Sequence, residues 1–289
     1  MKLKGECYPC ALRQVLAAAR LVSDDERFHI EALSRASREL SLISPDVTPP
    51  EVGEVIYRIV REMSGNPDPF RSEKDAQNEK ALEILPWIEK TVTESKEPLL
   101  MAVRLSIAGN SIDLGAQESF EIEENLEKAV SEDRELGDFC RFSDAVSRAR
   151  EILLIADNSG EIVFDRVLLE TIRSQKGGNV SLYLAVRGGP IINDVTEREA
   201  RQCGMDRVAE IISTGMEMPG TVLSRCAPSF VELFWRADLV VSKGQGNWET
   251  LEGCGREVFF LFQAKCPVVA RLNNCAEGDF LLIEDGLKV

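Results

Sequence analysis

Apolar residues in the first half of the chain recur three and four positions apart, which is the spacing of an amphipathic helix. The stretches that show it are ECYPCALRQVLAAARLV, DDERFHIEALSRASREL, VTPPEVGEVIYRIVREM, SEKDAQNEKALEILPWIEKTVTE and KEPLLMAVRLSIAGNSIDLG. Ser23 is the predicted N-cap of the second helix, and Thr48, followed by two prolines, is that of the third. Pro86 predicts a kink in the fourth. No segment alternates like a strand, and we therefore predict an all-helical N-terminal domain over residues 1–150.

After residue 150 the pattern changes to short, continuous apolar runs separated by helical stretches. The runs EILLIAD, VSLYLAVRG, AEIISTG, DLVVSKG and EVFFLFQAK are typical of parallel strands that are covered on both faces. FDRVLLETIRSQ, DVTEREARQCG, TVLSRCAPSFVELFWRA and ETLEGCG lie between them and predict helices, and CAEGDFLLIEDG predicts a final edge strand. We therefore predict an α/β fold over residues 151–289, with a Rossmann-like, mostly parallel sheet and helices on both faces.

Polar residues follow each predicted strand of this sheet. The clusters are Asp157-Asn158-Ser159-Gly160-Glu161, Arg187 with Asn193-Asp194, Ser213-Thr214-Gly215, Lys243 to Thr250, and Ala264-Lys265-Cys266. The carboxyl ends of parallel strands meet at one edge of a sheet, where open α/β folds bind their ligands. We therefore expect the five clusters to converge on a single crevice.

The residue types in these clusters suit a hard cation. Asp157 and Asp194 offer carboxylates, Asn158 and Asn193 offer amide oxygens, and the only histidine, His29, lies in the helical half. Oxygen ligands without histidine or thiolate are typical of Mg²⁺ or Mn²⁺. Glycines that let backbone N–H groups approach an anion and three basic side chains accompany them: Gly160, Gly188, Gly189, Gly244, Gly246, Arg187, Lys243 and Lys265. This combination favours phosphoryl chemistry.

Each cluster also has a purely structural interpretation when it is taken alone. Asp157 and Asn158 could form a strand-end turn, and Asn193 and Asp194 could cap a helix. The GQGN segment is not a dinucleotide-binding fingerprint, because Glu249 stands where the last glycine belongs, and no phosphate-binding P-loop occurs. The occurrence of such residues after five separate strands is what favours a functional site.

Composition narrows the range of partners. The chain has 289 residues, and 49 acidic against 34 basic residues give a formal net charge of −15, which argues against nucleic acid as a partner. The N-terminal MKLKGECYPC lacks a signal-peptide core, and no stretch approaches the ~18–20 apolar residues of a membrane span. We therefore expect a cytoplasmic protein with no membrane partner, whose eight cysteines are not a disulfide framework. Cys7 and Cys10 form a CxxC pair that is either two packed thiols or a possible second metal or redox pair.

The motifs taken together resemble the metal-dependent damage-control phosphatase family, in its archaeal and bacterial branch with an N-terminal CxxC. The resemblance rests on Cys7-x-x-Cys10, Arg104, Ala108-Gly109-Asn110-x-x-Asp113, Asp157-Asn158-x-Gly160-Glu161-x-x-x-Asp165, Asn193-Asp194-Val-Thr, Lys243-Gly-x-Gly246-Asn247-x-Glu249 and Lys265-Cys266. It implies a Rossmann-like sheet with a helical N-terminal domain. It also implies hydrolysis of phosphomonoesters of small metabolites, such as sugar phosphates, nucleotides or damaged phospho-cofactors.

The resemblance further implies roles for individual residues. Asp157, Asn158 and Asp194 would bind a divalent cation, Mg²⁺ or Mn²⁺ and possibly Co²⁺ or Ni²⁺, and Asp157, Asp194 and Lys265 would be catalytic. Substrate contacts are predicted at Arg104, Asn110, Asp113, Glu161, Arg187, Asn193, Lys243, Gly244, Gly246 and Asn247. The attacking nucleophile is either a water molecule or a carboxylate. Two alternatives stay open: a carboxyl methyltransferase acting on acidic residues, and a non-catalytic protein that binds phosphorylated metabolites.

Overall fold

The computed structural model of the chain describes residues 1–109, 126–127, 130 and 136–286. The elements with defined bounds before residue 150 are all helices, as the spacing of apolar residues predicts. They are α1 (Cys7–Val22), α2 (Glu26–Leu42), α3 (Pro49–Ser64), α4 (Arg71–Glu83), α5 (Leu85–Glu94), α6 (Pro98–Ala108) and α7 (Phe139–Arg148).

The starts of these helices confirm one predicted cap and correct another. Thr48 caps α3 in a capping box with Glu51, whose carboxylate accepts the Thr48 backbone N–H at 2.8 Å. The prediction of Ser23 as the cap of α2 is wrong, because the Asp25 carboxylate accepts the Arg27 N–H at 2.9 Å and Ser23 instead accepts the N–H of Asp25.

Pro86 breaks the predicted fourth helix rather than bending it. Helix α4 ends at Glu83, and α5 begins at Leu85 with Pro86 in its first turn. Proline has no N–H for the carbonyl four residues earlier and its ring clashes there, but it is tolerated where a helix starts. The chain therefore uses Pro86 to begin a new helix.

One six-stranded sheet forms the centre of the molecule. Its strands are β1 (Glu151–Ile155), β2 (Ser181–Val186), β3 (Glu210–Ser213), β4 (Leu239–Lys243), β5 (Val258–Gln263) and β6 (Phe280–Asp285). The order is β3-β2-β1-β4-β5-β6, in which β1 to β5 pair in parallel and β6 pairs antiparallel with β5. The predicted sheet, including its edge strand at the end of the chain, is confirmed.

Helices cover both faces of this sheet. Those that follow β1 are α8 (Glu161–Gln175), α9 (Glu197–Gln202), α10 (Pro228–Arg236), α11 (Gln245–Leu251) and α12 (Pro267–Leu272). Ile152 and Leu154 of β1 pack into the core beneath α5 to α8, whereas Leu153 and Ile155 pack beneath α10 to α12. Because successive residues of a strand point to opposite faces, a strand segment buried on both sides must be apolar throughout, as Ile152 to Ile155 of β1 are.

Helices α1 to α3 have a hydrophobic core of their own, whereas α4 to α6 share the core of the sheet. Helix α3 reaches the carboxyl edge of the sheet through two ion pairs, Arg61 with Glu217 at 3.0 Å and Arg225 with Glu54 at 2.7 Å. The division into domains at residue 150 stays a prediction. None of the helices in the described ranges combines the length and the hydropathy that crossing a bilayer requires.

Candidate active site

The predicted cation ligands lie side by side where the strand order changes direction, between β1 and β4. A backbone bridge joins Asn158 to Asp194. On either side of it, the Val195 N–H donates to the Asp157 carbonyl at 2.9 Å and the Ser159 N–H donates to the Asn193 carbonyl at 2.8 Å. The loop after β1 and the loop after β2 are therefore held together at Asp157, Asn158 and Asp194.

Gly244 provides the space in which the Asp157 carboxylate lies. This glycine ends β4 and begins α11 with a φ of +82°, a conformation that favours glycine. A Cβ atom added there would stand 2.0 Å from Asp157 Oδ2, far inside the contact distance of the two atoms. The glycine thus serves the position of a predicted ligand.

A buried arginine orients the other predicted carboxylate ligand. Arg187 Nε donates to Asp194 Oδ2 at 2.7 Å, and its Nη2 atom lies 3.9 Å from Asp157 Oδ1. The rest of its guanidinium is bound by the Gly220 carbonyl at 2.8 Å, the Thr221 hydroxyl at 3.1 Å and Asn247 Oδ1 at 3.2 Å. Arg187 therefore orients Asp194 from inside the protein. It was predicted to contact substrate, but it is not among the described residues that line the cleft.

A second buried cation lies beneath the loop after β1. Lys243 Nζ is 2.7 Å from Glu161 Oε1 and 2.9 Å from Asp165 Oδ1, and it donates to the carbonyl and hydroxyl oxygens of Ser106 at 2.7 and 2.6 Å. All four residues are fully enclosed. The predicted substrate contacts by Lys243 and Glu161 do not fit this arrangement, because their charged groups are turned towards each other and away from the cleft.

These two clusters carry an excess of negative charge. Asp157, Glu161, Asp165 and Asp194 contribute four acidic groups against the two basic groups of Arg187 and Lys243, so the described residues here sum to a formal −2. Buried charge is costly unless it is neutralised by a partner or a bound metal. The excess matches the charge of one divalent cation.

The pKa values of these acids reflect the same excess. Burial raises the pKa of Asp194 to about 7 although Arg187 acts against it, and Asp157 raises it further. Burial likewise raises the pKa of Glu161 to about 8 against the effect of Lys243, and it raises the pKa of Asp165. Burial lowers the pKa of Lys243, but Asp165 and Glu161 outweigh it and the pKa lies above its usual value. A cation bound to these oxygens would favour their ionised forms.

A cleft of about 370 Å³ opens over this charged edge of the sheet. The side formed by the strand ends carries Asp157, Asn158, Asn193, Asp194, Gly246 and Lys265. The opposite side is formed by α1 and α3, and it presents apolar residues such as Val52 together with the ring of Tyr57. The cleft therefore has a polar end at the predicted cation ligands and a largely apolar wall facing it.

Three residues of the cleft had not been predicted as site residues. Gln245 donates from Nε2 to Glu249 Oε1 at 2.9 Å, and its Oε1 accepts the Lys265 backbone N–H at 2.9 Å. Burial raises the pKa of Glu249 to about 7. Burial also raises the pKa of Tyr57, whose ring meets Phe70 edge-on with a centroid distance of 5.8 Å. Gln245 and Glu249 follow β4, where their position gave a signal, whereas nothing local marks Tyr57 within its helix.

Some predicted residues lie away from this cleft. Arg104 on α6 donates to the Val130 carbonyl at 3.2 Å and is not one of the described residues that line it. Asn247 is buried, and its Nδ2 donates to the Lys243 carbonyl at 2.7 Å and the Ala156 carbonyl at 3.2 Å. Asn110 and Asp113 fall outside the described residues.

Cys7 and Cys10 line the cleft on the side of α1, and Cys266 lines it from the end of β5. All eight cysteines are free thiols, in agreement with the expectation that they form no disulfide framework. Within the part of the chain that the structure describes, no His, Cys, Asp or Glu residues complete a group of three that could hold a metal. A metal or redox role of Cys7 and Cys10 stays a prediction.

Comparison with known proteins gives matches over almost the whole chain. The family model described as the damage-control phosphatase ARMT1-like domain matches residues 3–281. A damage-control phosphatase from Pyrococcus horikoshii is 33% identical over 292 residues, with 100% of both chains covered. A damage-control phosphatase from Archaeoglobus fulgidus is 32% identical over 288 residues, with 97% of this chain and 98% of the relative covered. The crystal structure of a DUF89 family protein from Pyrococcus horikoshii is similar with a TM-score of 0.92 at 32% identity, covering 99% of both chains.

Proposed function

The chain belongs to the damage-control phosphatase ARMT1-like family, and on that premise we propose that it is a divalent-metal-dependent phosphatase of small phosphorylated metabolites. The observation that carries the metal dependence is the meeting of Asp157, Asn158 and Asp194 at one end of the cleft. Together with the buried groups behind them, Glu161, Asp165, Arg187 and Lys243, they sum to a formal charge of −2. Phosphatase activity is what the names of two full-length relatives state, and a cation site at the strand ends fits that activity.

The donor set suits Mg²⁺ or Mn²⁺ better than a softer metal. Asp157 and Asp194 supply two carboxylates, and the third protein donor is the amide oxygen of Asn158. Hard cations take six or more oxygen ligands and often keep several waters, so three protein donors leave positions for water and a phosphate oxygen. Co²⁺ and Ni²⁺ remain candidates because affinity in this series follows the metal as well as the ligands.

Residues in the cleft and directly behind it would have different roles in phosphomonoester hydrolysis. Arg187 holds the Asp194 carboxylate in place through its 2.7 Å contact, and Gly244 leaves room for Asp157. Lys265 and the backbone N–H groups around Gly246 would bind the phosphate oxygens and stabilise the charge that develops on them. A bound divalent cation supplies polarisation of the phosphoryl group and lowers the pKa of a coordinated water.

A metal-dependent phosphatase assay tests this proposal. The chain is freed of metal with a chelator and then assayed on p-nitrophenyl phosphate and a panel of metabolite phosphomonoesters with Mg²⁺, Mn²⁺, Co²⁺ or Ni²⁺. We expect phosphate release only when metal is added, and a loss of at least about 100-fold in Asp157→Asn and Asp194→Asn, since even residues that only support ligands cost up to that much.

The matched control is Asp144→Asn, which removes an exposed carboxylate from α7 and should leave activity within about twofold of wild type. Phosphate release that is equal in Asp157→Asn and wild type would show that the site is misassigned. Binding of phosphomonoesters without turnover under every metal would favour the non-catalytic alternative, and methyl transfer to acidic residues would favour the methyltransferase.

A further inference from the structure

Glu249 is a buried carboxyl group in the wall of the cleft. It lies on α11, is 6% exposed and borders the cleft between Gly246 and Lys265. Its Oε1 atom accepts a hydrogen bond from Gln245 Nε2 at 2.9 Å. Its Oε2 atom has no hydrogen-bond partner among the residues that the structure describes, and it is not enclosed by protein. Glu249 is therefore a largely buried carboxyl group that lines the cleft and keeps one oxygen accessible.

Glu249 lies at the polar end of the cleft, with Gly246 and Lys265. Gln245, which holds its Oε1, also accepts the backbone N–H of Lys265, the residue predicted to bind phosphate. Asp157 is close enough to raise the pKa of Glu249. The carboxyl group therefore lies near both the predicted cation ligand Asp157 and the predicted phosphate-binding lysine.

Charged and titratable groups face Glu249 from three other parts of the chain. Asp157 faces it from the end of β1, Cys7 from α1, and the amino group of Met1 from the N-terminal segment, while the uncharged amide of Gln245 binds it from its own helix. Burial raises the pKa of Glu249 to about 7 and Asp157 adds to the rise, while Gln245 and the Met1 amino group oppose it. Near neutral pH the group is therefore present in both its protonated and ionised forms, as a proton donor in catalysis must be.

We propose that Glu249 is the general acid of the reaction, donating its proton to the leaving-group oxygen of the phosphomonoester. This rests on the proposed phosphatase function. The P–O bond to the leaving group breaks as a water oxygen forms a new bond to phosphorus, and the leaving oxygen takes the Glu249 proton and departs as an alcohol. The proton lost by the water passes to solvent, Glu249 is reprotonated from solvent, and the net reaction consumes one phosphomonoester and one water.

Two other acidic groups near the cleft are held in ion pairs with buried basic side chains. Asp194 is held by Arg187 at 2.7 Å, and Glu161 is held by Lys243 at 2.7 Å beneath the loop after β1. Burial raises the pKa of Cys7, which weakens it as an acid. Asp194 shares a pKa of about 7 and also lines the cleft, but it is assigned to the cation, so Glu249 is the group of this kind that has no other proposed role.

Leaving-group dependence distinguishes a general acid from a structural residue. A strongly basic alkoxide needs a proton to depart, whereas p-nitrophenolate is a weak base and departs without one. Glu249→Gln should therefore lower kcat/KM for glycerol phosphate by about 10²–10⁴-fold and for p-nitrophenyl phosphate at least tenfold less. The control Glu94→Gln makes the same change at an exposed position at the end of α5, which does not line the cleft, and should stay within about twofold of wild type on both substrates.

The proposal is overturned if Glu249→Gln loses the same factor on both substrates, or loses nothing on glycerol phosphate. If that variant fails to fold by circular dichroism, the wild type gives the answer through its pH profile. The ratio of kcat/KM for glycerol phosphate to that for p-nitrophenyl phosphate should fall as pH rises through about 7, and a ratio that is independent of pH excludes Glu249 as the acid. A wild type that hydrolyses neither these substrates nor any member of the metabolite panel with any metal removes the phosphatase function itself, and the general acid with it.

Discussion

Gly244 combines a backbone conformation that favours glycine with a side-chain position that the candidate active site occupies. Its φ of +82° disfavours any other residue, and the space where a Cβ would stand is filled by the Asp157 carboxylate. Gly253 has a similar φ of +68°, but no atom lies within 4 Å of the Cβ that it would gain. Alanine at Gly253 therefore tests the effect of a positive φ alone, whereas alanine at Gly244 also displaces the Asp157 carboxylate.

We expect Gly244→Ala to abolish metal-dependent phosphatase activity and Gly253→Ala to keep it. Gly253→Ala should lose about 1–2 kcal/mol of unfolding free energy through its positive φ, measured by urea denaturation. Gly244→Ala should lose more, because its φ of +82° with a ψ of 152° is almost confined to glycine and the new methyl group meets Asp157. Only Gly244→Ala should also weaken Mn²⁺ binding in a calorimetric titration, because its methyl group forces Asp157 away. Equal Mn²⁺ affinity in the two variants would mean that Asp157 is not a ligand in this position.

For single residues, the sequence predicts which ones follow a strand but not where their side chains point. Asp157, Asn158 and Asp194 could be identified because they follow strands, and strand ends of a parallel sheet must meet. Lys243 also ends a strand, but the sequence does not contain the direction of its side chain, which Ser106 on α6 and two acids on α8 determine. Tyr57 escaped prediction because the apolar face of a helix looks alike whether it covers a core or a cleft.

Helix α8 contributes two acids to the buried cluster, one from each of its first two turns. Glu161 and Asp165 are four residues apart and thus on one face, and both contact Lys243. Only Glu161 reaches the predicted metal ligands, through the contact between Asn158 Nδ2 and its Oε2 at 3.4 Å. The Asn158 amide nitrogen also donates to Asp157 Oδ2 at 2.6 Å, so both contacts of this amide with neighbouring acids are made by its nitrogen.

The two acids of α8 therefore form a matched pair for mutation. Glu161→Gln should weaken Mn²⁺ binding by about 10–100-fold, the usual cost of losing a group that orients a metal ligand. Asp165→Asn removes the same charge from the same lysine but not from Asn158, so its loss of affinity should be at least several-fold smaller. Calorimetric titration with Mn²⁺ measures both, and thermal unfolding shows whether each variant is folded. Equal losses in the two variants would mean that the net charge of the cluster matters and that the orientation of Asn158 does not.

Secondary-structure elements were predictable where one physical signal acts alone. The continuous apolar runs of β1, β4 and β5 could be identified because a strand covered on both faces has no solvent-facing side. The finer predictions failed where two neighbouring signals were compatible with the sequence. Asp25 lies two residues beyond Ser23 and is the residue that caps α2. Pro86 was compatible with either a kink in one helix or the start of a new helix. The strand order and the packing of α4 to α6 onto the sheet depend on contacts distant in sequence, which local periodicity does not encode.

At the scale of the whole molecule, the cleft is the space left between two separately packed parts. The helices α1 to α3, with their own core, stand opposite the carboxyl edge of the sheet, which bears the excess of acidic groups. Ion pairs such as Arg61 with Glu217 tie these parts together beside the cleft. The sequence predicted a charged edge and a helical region, but the facing of one by the other, and the apolar character of that facing wall, emerged only from the fold.

Stability of the metal-free chain should depend on pH through its buried acids, and Glu249 gives the clearest case. Its pKa of about 7 lies above the ordinary 4.5, so the folded chain holds a proton that the unfolded chain has released. The stabilisation this provides is complete below about pH 4.5 and is lost as pH rises through about 7, amounting to roughly 3 kcal/mol for this shift. Glu249→Gln has no proton to lose and should lack this contribution.

Thermal unfolding in the presence of a chelator, from pH 5 to pH 8, measures the difference between the two proteins. The melting temperature of wild type should fall relative to that of Glu249→Gln as pH rises, by several degrees over the range, and the difference should level off above pH 8. Added Mn²⁺ should raise the melting temperature of wild type more at pH 8 than at pH 5, because the cation competes with protons for the buried oxygens around Asp194. Parallel pH curves for the two proteins would show that Glu249 is ionised throughout, and its assignment as a proton donor would then lose its electrostatic basis.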